Sequence, residues 1–135
     1  MKLLYALLCE DAHIRHDGRL DVHGIFHQLY APAFPAQQDR MTLAVAVEWA
    51  PAERGRIEFS IDLLDPADAP VITINGHTDV ADQGELQGPP QTRLVMPLEG
   101  VVFPTEGSFT FQLSVAGEKL RLTPLHLIEN AALRG

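Results

Sequence analysis

The stretch CEDAHIRHDGRLDVHGIFH, residues 9–27, holds the only cysteine, four of the six histidines and four carboxylates. Imidazole nitrogens and carboxylate oxygens are what zinc takes, and a thiol near an imidazole is a nucleophile's setting. Either chemistry requires these side chains to converge. A three-residue turn, His16-Asp17-Gly18, sets Ile14 opposite Leu20 and Ala12 opposite Val22, so that apolar meets apolar. It also puts Gly18 where the turn needs a left-handed residue. A two-residue turn would oppose Ile14 to Asp21. In the favoured register His13 faces Asp21, His23 faces Asp11, and Arg15 neighbours Arg19. All lie on the side away from Ile14, Leu20 and Val22.

The cluster thus reads as a ladder of His–carboxylate pairs on the wet face of a hairpin, each pair contributing about 0.2–1 kcal/mol. The rival reading is metal. Asp11, His13, Asp21 and His23 offer two nitrogens and two oxygens, with the histidine Cα atoms roughly 7–8 Å apart. That ladder faces outward with no evident second shell or enclosing pocket. Cys9 ends an apolar strand beside Glu10 and Asp11, which raise a thiol pKa, so an inert buried thiol is expected. No HExxH, GxSxG or phosphate-cradling glycine loop occurs. The expectation is no catalytic residue, no metal and no other cofactor.

The rest of the chain repeats with period two. In MTLAVAVEW (41–49), Met41, Leu43, Val45, Val47 and Trp49 alternate with Thr42, Ala44, Ala46 and Glu48. RIEFSIDL (56–63) and SFTFQLSV (108–115) alternate in the same way. Each run has one apolar and one polar face, the pattern of antiparallel sheets with one buried side. Weaker strands are expected at 3–9, 20–27, 71–74, 92–98 and 119–127. Turn residues separate them: Pro32 and Pro35, Pro51–Gly55, DPADAP (65–70), Asn75-Gly76, Gly84–Pro90, Pro104–Gly107 and Ala116-Gly117. ENAALRG (129–135) reads as one closing turn or a frayed end. Around Ala116-Gly117 an even loop sets Leu113 opposite Leu120 and Phe111 opposite Leu122. The phase breaks past Leu122, at Thr123-Pro124.

The predicted architecture is all-β, a single immunoglobulin-like antiparallel β-sandwich of about eight strands spanning residues 1–135. Net charge is −8. Residues 1–67 carry six basic and ten acidic side chains, and residues 68–135 four and eight, so the acidity is spread evenly. Cations in no cluster argue against nucleic acid and anionic lipid as partners. One cysteine excludes an internal disulfide and fits a reducing, cytoplasmic setting. MKLLYALLC is too short, and Leu8 too large, for a lipoprotein leader. No segment is long enough to span a membrane.

ALLCEDA (6–12), DGRLDVHGIF (17–26) and FPA (34–36) resemble the opening of a family of small uncharacterised bacterial proteins. LLDPADAP (63–70) and FPTEGSFTFQLSVAGEKL (103–120) are similar to its middle turn and closing hairpin. That hairpin also resembles the last two strands of immunoglobulin-like sandwiches, with Ala116 where Asp or Asn is usual. The resemblance implies a fold and a bacterial origin and carries over no ligand or catalytic residue. The expected function is a non-catalytic interaction or assembly module with a protein partner or a second copy, joined through an edge strand or a sheet face. Small residues on the outer faces (Ala44, Ala46, Ser60, Ser108, Ser114) leave room for flat contact. The alternatives are the metal ladder, and a small-ligand or carbohydrate binder using Trp49 and the 81–91 loop.

Overall fold

Valine, isoleucine and phenylalanine at alternate positions stiffen the backbone into extended form and leave one side to be buried. The computed structural model of the protein describes residues 1–84 and 87–133. In it these runs become nine strands: β1 (Lys2–Ile14), β2 (Leu20–Phe26), β3 (Gln28–Ala31), β4 (Ala36–Glu48), β5 (Gly55–Leu64), β6 (Pro70–Val80), β7 (Gln91–Phe103), β8 (Gly107–Val115) and β9 (Glu118–Glu129). One sheet has the order β2-β1-β4-β7 and the other β3-β9-β8-β5-β6. The two stack as a β-sandwich. A 3₁₀ turn at Ala131–Leu133 follows; of the predicted closing turn, Glu129 instead ends β9, and residues 134 and 135 lie outside the described residues.

The core lies between the layers. Leu8, Met41, Leu43, Val45, Val47 and Phe103 meet Ile61, Leu63, Phe109, Phe111, Leu113 and Leu125. Phe103 and Phe109 pack edge to face, with centroids 5.2 Å apart. Truncating one such buried ring to alanine costs about 3–5 kcal/mol.

Both predicted hairpins form, with one adjustment. The N-terminal pair has Ala12 opposite Val22 and Ile14 opposite Leu20, and Gly18 is left-handed at φ 85°. The closing pair has Leu113 opposite Leu120 across a two-residue turn. Ala116 (φ 49°) and Gly117 (φ 84°) both take the left-handed conformation such a turn needs. Phe111 opposes Thr123 rather than Leu122, because the bulge falls between Phe111 and Gln112 and absorbs Leu122. The phase change therefore comes earlier than Thr123-Pro124.

Three further expectations are corrected. Asn75-Gly76 is no turn but the middle of β6. Gly76 is there for space: a Cβ would sit 2.7 Å from the Phe59 ring opposite it. β3 was not anticipated, and it pairs with β9 in parallel, so the sheets are not wholly antiparallel. The outer side of β4 is not wet, since Thr42, Ala44 and Ala46 are buried. Tyr5 and Leu7 on one side and Arg93 and Val95 on the other flank these small residues. Ala44 and Ala46 are thereby covered by their neighbours and offer no flat contact.

Candidate functional site

The histidine ladder stands where its register places it. Asp11 opposes His23, and His13 opposes Asp21. His13 Nε2 lies 3.2 Å from Asp21 Oδ2, and Arg15 approaches the other oxygen at 3.5 Å. Asp11 turns instead toward Arg40, at 3.5 Å. The two imidazoles stack, with centroids 5.7 Å apart. The four candidate ligands are thus held as separate ion pairs and a ring stack. Among the described residues, no group of three or more His, Cys, Asp or Glu side chains is arranged to hold a metal ion.

Cys9 faces the same side of the sheet but is fully buried, with its thiol 3.5 Å from the Thr42 carbonyl. Burial pushes the thiol pKa up, and the Asp11 carboxylate pushes it the same way. That is the opposite of what a thiolate nucleophile needs. Trp49 is only 3 % exposed, and its indole N–H donates to Thr92 Oγ1 at 2.7 Å. It is packed into the core. Part of the 81–91 loop, residues 85 and 86, lies outside the described residues.

At the edges of the two sheets, backbone donors and acceptors are unspent. The four edge strands are β2, β7, β3 and β6. β3 has only four residues. β2 has seven, interrupted by left-handed Gly24 (φ 67°). β7 is long but carries Pro97 and left-handed Gly100 (φ 64°).

The direction of Pro97 follows from its neighbours. Trp49 N–H donates to Pro90 C=O at 2.9 Å, so odd-numbered residues of β4 turn their backbone groups toward β7. Even-numbered Thr42 then points toward β1, as its contact with Cys9 confirms. Pro97, opposite Thr42, turns its nitrogen to the open side, where it can donate nothing.

β6 has no such guard. Asp65 N–H donates to Ala69 C=O at 2.8 Å, so odd-numbered residues of β5 face β6. Their partners are Ile72, Ile74, Gly76 and Thr78. Thr73, Asn75, His77 and Asp79 must then present N–H and C=O to the open edge. From Ile72 to Val80 the register is unbroken, with no proline, no lysine or arginine and no left-handed residue. Reading Asn75-Gly76 as a turn hid this strand. The signal was available, for alternation runs through the glycine: Ile72, Ile74, Thr78 and Val80 share one parity.

A family model described as a family of unknown function, DUF6941, matches residues 4–128. No curated protein matches the chain. Among the described residues, no helix is long and apolar enough to cross a membrane.

Proposed function

The chain belongs to DUF6941, a family of unknown function, and from that premise we propose that it is a non-catalytic assembly module. Two copies join edge to edge through β6, antiparallel, and make one continuous sheet. The observation that carries this reading is the unguarded nine-residue edge from Ile72 to Val80. An edge of that kind is a template for another strand.

The strand is complementary to itself. Centred on Gly76, an antiparallel pairing sets Thr73 against Asp79 of the second copy, and Asn75 against His77. These are the residues whose backbone groups point outward, so the pairing makes about eight backbone hydrogen bonds. Ile72 meets Val80 and Ile74 meets Thr78 on the inward side. No like charges are opposed. The contact is isologous and closes as a dimer. Cys9 is a buried free thiol, which fits a reducing, cytoplasmic location.

Sedimentation velocity at roughly 100 μM, where a Kd in the micromolar range gives mostly complex, tests the reading. The native chain is expected as a dimer. Asn75→Pro removes one outward N–H, leaves the ladder to β5 intact, and is expected to be a folded monomer. A native monomer at that concentration, or an Asn75→Pro dimer, would refute the proposal.

A further inference from the structure

The outer face of the five-stranded sheet contains an open depression of about 580 Å³, lined by Arg56, Glu58, Ser60, Asn75, His77, Ser114 and the Ala116-Gly117 turn. We infer that this depression binds a neutral, hydroxyl-rich ligand, namely a saccharide of one or two rings. The volume lies within the range of about 300–1,000 Å³ usual for small-molecule sites.

Many polar groups on this face are already engaged. Outside the depression several of them pair with one another, although among the described residues Thr110, Gln112 and Lys119 do not. Thr73 donates to Asp62 at 2.5 Å, Ser108 and His126 share a hydrogen bond at 2.9 Å, and Arg121 reaches Asp68 at 3.4 Å. Within the depression, Ser60, Asn75, His77 and Ser114 have no side-chain partner among the described residues. Ser60 lies directly between Asn75 and Ser114 on neighbouring strands, so three unspent groups form a continuous row.

The chemistry of that row selects the ligand. A serine hydroxyl and an asparagine amide each both donate and accept. A sugar hydroxyl does the same, so a ring bearing several can satisfy the row without a net charge. An anion is not favoured. Arg56, the depression's only fixed cation, lies 3.7 Å from Glu58 and stands opposite Asp79.

This inference does not rest on the dimer, although pairing through β6 would bring two depressions together across Asn75 and His77. The test is titration of ¹⁵N-labelled protein with maltose, cellobiose and diacetylchitobiose, with glucuronate and inorganic phosphate as charged controls. At least one neutral sugar is expected to shift amides in 56–60, 75–77 and 114–117, with a Kd on the order of 1–10 mM. The double variant Ser60→Ala/Ser114→Ala is expected to weaken that binding about tenfold, two neutral hydrogen bonds being lost, with the remaining spectrum unchanged. Thr73→Pro blocks the β6 edge outside the depression. It is expected to be monomeric and to keep sugar binding, which separates this proposal from the preceding one. The inference fails if no neutral sugar shifts these amides, if the shifts fall elsewhere, if a charged control binds more tightly, or if the double alanine variant binds as well as the native chain.

Discussion

β6 and β7 border the same side of the sandwich, where Thr78 and Thr92 meet across the layers at 3.1 Å. Both are long, both alternate, and both leave one row of backbone groups unpaired. β7 turns a proline nitrogen into that row and bends at a left-handed glycine two residues after its Leu98. β6 presents four consecutive outward residues with their N–H groups intact. What distinguishes a guarded edge from an exposed one is therefore the identity of a few residues at the outward parity, and neither strand length nor hydropathy reveals it.

The sharpest way to test that parity is to place proline at adjacent positions of β6. Ile74→Pro removes an N–H that faces β5 and strips a packed isoleucine, and is expected to cost about 3–5 kcal/mol. Asn75→Pro, one residue on, is expected to stay within about 1 kcal/mol of the native chain. Chemical denaturation compares them, and equal losses would show the parity to be wrong.

A smaller loss is expected from Gly76→Val. Its Cβ collides with the Phe59 ring, an overpacking cost of about 1–3 kcal/mol. Adding Phe59→Leu is expected to recover part of it, because the two positions are coupled. Independent, additive losses in a double-mutant cycle would contradict the contact.

Pro97→Val changes stability little, within about 1 kcal/mol. It restores an outward N–H to β7 and so creates a second open edge beside the first. Light scattering is expected to show species larger than the native assembly. An unchanged size would mean that Gly100 alone guards the strand.

The smallest effect belongs to the hairpin of the charged β2 edge. The Arg15 guanidinium holds the Asp17 carboxyl below its ordinary range, helped by the Arg19 N–H. A depressed carboxyl pKa stabilises the folded state above its ordinary value of 3.8, and that contribution is lost as pH falls through the lower folded value. Arg15→Ala is expected to return the Asp17 titration toward the ordinary value by NMR, with no measurable change in Tm. An unmoved titration would assign the depression to the Arg19 amide.

Much of the sandwich was legible in the order of residues. The pairing of Ala12 with Val22, and of Leu113 with Leu120, followed from keeping apolar side chains on one face across a short turn. The alignment of His13 with Asp21 and of His23 with Asp11 followed from the same register, although only His13 pairs with its acid and Asp11 turns to Arg40. The misreadings share a cause. Asn75-Gly76 has turn chemistry, but here the missing Cβ of Gly76 serves the Phe59 ring, seventeen positions away in the chain. Ala44 and Ala46 looked like an open surface, yet Tyr5, Leu7, Arg93 and Val95 flank them from two other strands.

Side-chain alternation and short turns act over a few bonds, so the amino-acid order alone determined which face of each alternating run turns to the core and how the two hairpins align next to their turns. Tertiary structure decided which strands lie at the rim, that β3 runs parallel to β9, and that β6 turns its unspent backbone groups outward beside a row of unpartnered side chains. Those outcomes depend on pairings between segments far apart in the chain, where packing and backbone hydrogen bonding across the whole sheet, rather than local preference, select the arrangement.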